Sequence, residues 1–279
     1  MVIPETREYL LNELSVIDNW EKDQKGLWFW DKIGRLPFKM LDKVTPSFIQ
    51  KKISHLLDEV GSFIQSGGKY LSNDKTILNK LQIQCPDIMV TTVDSAGKVP
   101  IACMDTVCED IQKTNSKLAA FQGATTGIGG LFTLAADIPV LLGLSLKTLQ
   151  DIAVCYGYDP NNREERIFII KSLQFATSDI VGKEAILNEL ALFFNNSSNR
   201  KDEVISQLQG WREVVATYRD QFGWKKLLQM VPIAGMVFGA FTNRSMIQDI
   251  AETGHMLYKK RRILEKLGEQ AQHQENEYN

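Results

Sequence analysis

Four residues could do chemistry together if the fold gathered them: Asp137, Tyr156, His255 and Arg262. A carboxylate and an imidazole can pass a proton, a phenol can donate to an oxyanion, and a guanidinium can hold an anion. A hydrolytic reading of unknown type would rest on Asp137 and His255. Each also has a plainer reading. Asp137 stands two residues before Pro139 and suits a helix N-cap, with the proline in the first turn. His255 is equally a partly buried polar residue or one on an exposed face.

The established signatures are missing. There is no GxSxG elbow, no HExxH, no GxxxxGK[ST] and no dinucleotide fingerprint after a strand. The run Gly123-Ala-Thr-Thr-Gly-Ile-Gly-Gly130 shares only its glycines with a phosphate loop. Ser72 and Lys75 form an isolated Ser-x-x-Lys without companion motifs. Asp105 and Glu109 are one helical turn apart with Asp110 adjacent, and read as a solvated acidic face. His55 has no Cys or His at ligand spacing. The four cysteines, 85, 103, 108 and 155, contain no CxxC pair and read as reduced thiols. No cofactor or metal is implied, and the enzyme reading is the weaker one.

The candidates must be positioned by Gly123–Pro160 and by Pro232–Gly239. The first stretch reads as two helices, roughly 118–136 and 138–156, the second stopped by Gly157 and held off by Asp159-Pro160. Gly123, Gly127, Gly129 and Gly130 leave a helix face without side chains, where another helix could approach. Pro232-Ile-Ala-Gly-Met-Val-Phe-Gly239, with Gly235 and Gly239 four apart, is the expected partner. Leu149-Gln-Asp-Ile-Ala153 and Ile247-Gln-Asp-Ile-Ala251 follow the two stretches as similar pentamers.

The remaining chain is helical in pattern. Helices are expected over 5–24, from Pro46, from Pro100 to about Phe121, from Glu164 to Phe194, over 201–221, and from about Asn243 to Gly268. Residues 76–97 read as helix or loop, Asn195–Asn199 as a loop, and the polar stretch after Gly268 as frayed. The expected architecture is an all-α, single-domain bundle over residues 1–268 with two glycine-rich apolar hairpins, followed by a polar tail, 269–279.

This chain resembles the EcsC family of bacterial proteins. The resemblance rests on Gly123–Gly130, on Asp137-Ile-Pro139 and its following leucines, and on Ile152-Ala153 with Tyr156-Gly-Tyr-Asp159. It continues in Glu165-Arg166, Pro232-Ile-Ala-Gly235, Phe241-Thr-Asn243 and Tyr258 with Arg261-Arg262. It implies a mostly helical protein associated with a membrane or with ABC transporter subunits, and it carries over no catalytic residue.

Composition agrees with an ordinary globular chain: 279 residues, 44% hydrophobic and 24% charged, with a formal net charge of −2. That balance argues against a nucleic-acid binder. The N-terminus lacks a basic start followed by an apolar core, so a cytoplasmic protein is expected. Residues 127–146 reach spanning length only by including Asp137 and Pro139. They read as buried core, as a hairpin dipping into a membrane or interface, or as a true span, in that order of preference. Residues 20–54 hold eight basic side chains against four acids, with Trp28 and Trp30 among them. With Lys259, Lys260, Arg261 and Arg262, which wrap around their helix and cannot all face inward, they form the expected membrane-facing patch. The expected function is therefore peripheral docking on the inner face of a membrane, on lipid or a transporter. A helical carrier holding an apolar ligand between the hairpins is the alternative.

Overall fold

A computed structural model describes residues 5–24, 62–63, 66–67, 73–127, 131–178, 180–194 and 232–278. Among them every regular element is a helix, and the fold class is all-α. The eight helices are α1 (Arg7–Asp23), α2 (Lys75–Gln84), α3 (Val93–Ala96), α4 (Ile101–Gly127), α5 (Leu131–Cys155), α6 (Arg163–Thr177), α7 (Ile180–Phe194) and α8 (Pro232–Tyr278). The helices expected from Pro46 and over 201–221, the loop 195–199, His55, Ser72, Trp28 and Trp30 lie outside the described residues.

Local chemistry accounts for the ends. Thr6 accepts the amide hydrogen of Tyr9 and opens α1, which buries Leu10 and Ile17 and leaves Leu11 and Val16 in solvent. Thr92 and Ser95 make a reciprocal capping box for the four-residue α3. Gly157, at φ 80°, closes α5 in the left-handed region as expected. Asp159 then accepts from the Asn161 amide, and Arg166 donates to the carbonyls of Pro160 and Asn161. That tight corner launches α6, which is buried from Glu165 to Phe175 and fills the centre of the bundle.

The long helix α8 is the axis. It packs chiefly along α4, and also on α5, α6 and α1. Gln112 Nε2 donates to the Gln248 carbonyl at 3.3 Å, while Asp105 meets Lys259, so α4 and α8 run antiparallel. Asn115 Nδ2 donates to Thr148 Oγ1 at 3.0 Å and Tyr156 reaches Asp105, so α4 and α5 are antiparallel too. Their core is apolar: Ile101, Met104 and Ile111 from α4, Leu149 and Ile152 from α5, Ile247, Ile250 and Leu257 from α8.

Three sequence expectations are corrected. Asp137 is no N-cap: α5 runs unbroken from Leu131, with Asp137 and Pro139 inside it. A proline inside a helix forfeits one hydrogen bond and costs about 3 kcal/mol, which the largely buried run Leu141–Tyr156 outweighs. The boundary expected near Asn243 is absent, because Pro232–Gly239 and the following segment are one helix. The stretch after Gly268 is not frayed; α8 continues to Tyr278, and Gln270 donates to the Glu5 carbonyl.

A close approach of α8 to α5 occurs at Gly254. A Cβ on Gly254 would stand 2.7 Å from Leu149 Cδ2 and 3.3 Å from Ile152 Cδ1. Both contacts come from the first pentamer, and the second pentamer buries Ile247, Ile250 and Ala251 in the turns before Gly254. Gly123 is buried within α4. The packing around Gly127, Gly129, Gly130, Gly235 and Gly239 lies outside the described residues.

Candidate functional site

Ionisable groups converge where α1, α4, α8 and the end of α5 meet. Asp105 is the hub. Its Oδ1 accepts from the Tyr156 hydroxyl at 2.7 Å and lies 2.9 Å from His255 Nε2; its Oδ2 accepts from Lys259 Nζ at 2.7 Å. Lys259 also pairs with Glu13 at 2.6 Å. Tyr156 is fully buried, Asp105 and His255 each keep about a fifth of their side chains in solvent, and Lys259 less than a tenth.

The electrostatics follow from those contacts. Burial alone would push the Asp105 carboxyl up, but the hydrogen bonds and charge of His255 and Lys259 outweigh it and hold it below the ordinary value. Burial would likewise lower the Lys259 ammonium, and Asp105 with Glu13 raise it instead. Burial, with the nearby Cys108 thiol and Asp105, drives the Tyr156 phenol well above its usual range. Asp105 is thus held as a carboxylate, Lys259 as an ammonium and Tyr156 as a phenol. Both Asp105 oxygens are occupied by donors from two other elements, which is the arrangement of a structural anchor.

The sequence reading of Asp105 as part of a solvated acidic face is corrected. Glu109 and Asp110 do stand on the surface, paired with Lys113 and Lys80. Asp105 instead sits on the buried stripe of α4, between Ile101, Met104 and Cys108. Glu13 lies between Leu10 and Ile17 on the equivalent stripe of α1. A charge inside an apolar stripe was the signal available in the sequence.

Of Asp137, Tyr156, His255 and Arg262, three meet. Tyr156 and His255 stack loosely, with ring centroids 6.1 Å apart, over Asp105. Arg262 lies behind them: its Nε donates to the Tyr156 carbonyl at 2.8 Å and its guanidinium faces Gly97 and Gly157. Asp137 does not join them. It precedes Cys155 by 18 residues of continuous helix, about 27 Å along the axis. The pairing of Asp137 with His255 is therefore corrected.

The four consecutive cations are corrected as well. Lys260 pairs with Asp18 and Glu21, Arg261 with Glu165, and Arg262 with Glu265 and the carbonyls that end α5. Their side chains are at most 16% exposed. They can all be covered because α8 is flanked by α1, α4, α5 and α6, each supplying an acceptor. Tyr158 lies between the two guanidiniums, 4.0 Å from Arg261 Cζ and 4.5 Å from Arg262 Cζ. The motif Tyr156-Gly-Tyr-Asp159 is thus a junction of α5 with α4 and α8.

A sequence model of the EcsC protein family matches residues 12–263, which include Asp105, Tyr156, His255 and Lys259. The chain belongs to the EcsC family. It is 57% identical over 265 residues to "Uncharacterized protein YdbA" of Bacillus subtilis (strain 168), covering 95% of this chain and 97% of that protein. It is 31% identical over 153 residues to "Protein EcsC" of the same organism, covering 55% of this chain and 61% of the relative. No solved structure matches the chain. Among the described residues of this EcsC-family chain, no helix is long and apolar enough to cross a membrane.

Proposed function

We propose that this EcsC-family chain is a non-catalytic docking protein that sits peripherally on the cytoplasmic face of a membrane, using one end of its bundle. One observation carries the reading. Four large apolar side chains stand in solvent at that end: Leu118 (52% exposed), Phe121 (70%), Val140 (55%) and Phe241 (69%). Projected through the antiparallel pairings Gln112–Gln248 and Asn115–Thr148, they fall within about 8 Å of one another along the bundle axis.

Charge indicates the occupant. Lys117 and Arg244 flank Leu118 and Phe241, are exposed, and make no ion pair with a described residue. Aromatic and aliphatic side chains bordered by cations suit the boundary of an anionic bilayer, where rings enter the headgroup layer and cations meet phosphate. The test is co-sedimentation with phosphatidylglycerol vesicles and with phosphatidylcholine vesicles. Salt-sensitive binding to the anionic vesicles, weakened in a Phe121→Ser, Phe241→Ser variant, is the expected result. Absence of binding to either vesicle would reject the reading in favour of a protein partner.

A further inference from the structure

Two of the four cations that sequence alone offered to a membrane, Lys259 and Lys260, are paired by α1. Glu13 of α1 pairs with Lys259 at 2.6 Å, and Asp18 and Glu21 pair with Lys260 at 3.0 and 2.8 Å. Glu5, just ahead of α1, pairs with Lys266. The helix is held by two fully buried residues, Leu10 and Ile17, with Tyr9, Leu14 and Trp20 packed partly buried against the core. Leu11 and Val16 face solvent, and Trp20 secures the far end on Phe175 and Glu252.

The covered stripe is continuous with the proposed docking end. Phe241 and Lys259 are 18 residues apart on α8, which is five full turns, so they share one face. Lys266, seven residues beyond Lys259, lies close to the same line. Arg244 is one turn from Phe241. A bundle lying along that face would set Phe241 and Arg244 against a bilayer, with Lys259 and Lys266 on the same line, and α1 is what stands in the way.

We propose that α1 is an acidic strap closed over a cationic stripe of α8, and that an anionic lipid surface opens it by exchanging carboxylate for phosphate at Lys259, Lys260 and Lys266. This rests on the membrane-docking reading. The exchange is like for like: an ammonium bound by a carboxylate is bound equally well by a phosphate oxygen. Lys260, about 100° round α8 from the line of Phe241 and Lys259, is the residue freed most completely, since both its acidic partners belong to α1. Lys259 would keep Asp105, and Lys266 the Val99 carbonyl.

The experiment compares the full chain with Glu13→Gln, Asp18→Asn, Glu21→Gln and with a charge-matched control, Asp94→Asn, Glu109→Gln, Asp110→Asn, whose acids are exposed elsewhere. Opening the strap should tighten binding to phosphatidylglycerol vesicles by about ten-fold over the control, and adding Lys260→Gln should remove most of the gain. Equal affinity of the strap variant and the control would overturn the proposal. Hydrogen exchange on the wild-type chain gives a second readout: vesicle-bound protein should lose amide protection over 7–23. Retained protection in bound protein would reject the strap while leaving docking intact. If none of the three chains binds a vesicle, the docking reading falls and the strap falls with it.

Discussion

Tyr156 and His255 converge on the same oxygen, Oδ1 of Asp105, at 2.7 and 2.9 Å, from helices that are remote in sequence. Asp105→Asn keeps the shape but removes one of the two carboxylates that pair with the largely buried Lys259 ammonium, leaving Glu13 alone. The expected loss is about 2–4 kcal/mol at pH 7, read as a lower urea midpoint. The pH dependence has a definite sign. Asp105 has a depressed carboxyl pKa in the folded chain, so its contribution is present above the unfolded value of about 3.9 and is lost as pH falls through the lower folded value. The gap between wild type and variant should therefore narrow below pH 4. A gap unchanged at pH 3 would contradict the anchor.

Gly157 and Gly268 make a matched pair. Gly157 is at φ 80°, and a Cβ there would lie 2.4 Å from the Gly97 backbone. Gly157→Ala meets both left-handed strain and a collision that no rotamer relieves. It should cost more than about 2 kcal/mol. Gly268 lies within α8, and a Cβ added there would have nothing within 4 Å. Gly268→Ala should add about 0.5–1 kcal/mol by helix propensity. Thermal melts of the two variants should move in opposite directions.

Two buried tyrosines should answer differently to loss of their hydroxyls. The Tyr258 hydroxyl donates to Glu165 at 2.6 Å, whereas the Tyr158 hydroxyl is buried without a partner among the described residues. Tyr258→Phe should destabilise by about 1–3 kcal/mol, and Tyr158→Phe should be neutral or stabilising. Both phenols are raised, first by burial. A raised phenol contributes stability that is intact below the unfolded value of about 10 and lost as pH rises beyond it. Each should steepen the alkaline loss of stability by about 1.4 kcal/mol per pH unit, and Tyr158→Phe should flatten it. An unaltered slope above pH 10 would count against the burial of that ring.

Much of the fold was legible because local rules and tertiary packing agreed. The stripe Leu10, Leu14, Ile17 placed α1, Pro100 marked the start of α4, and Gly157 marked the end of α5. The rules failed where packing overrode them. Asp137-Ile-Pro139 has the chemistry of a helix start, yet the apolar run beyond it makes continuation of α5 the better outcome. The candidate site was half legible. Tyr156, His255 and Arg262 stood out as types, but Asp105 was read with Glu109 and Asp110 as a solvated face, because a carboxylate one turn from another acid looks like the edge of a polar face. The run Lys259–Arg262 misled for the opposite reason. Consecutive cations point in several directions, and only the tertiary arrangement of α1, α4, α5 and α6 supplies each with an acceptor.

The exposed end of the bundle gives a prediction that separates its two kinds of side chain. Lys117→Gln with Arg244→Gln removes two cations, each contributing about 1 kcal/mol near an anionic surface. Vesicle binding should fall by more than ten-fold at low ionic strength, and the difference should shrink as added salt shortens the screening length to about 3 Å at 1 M. Phe121→Ser with Phe241→Ser removes apolar area instead. Its deficit should persist at high salt, because burial of rings in the interface does not depend on screening. If the phenylalanine deficit also vanished with salt, the rings would not be entering the bilayer, and the contact would be electrostatic alone.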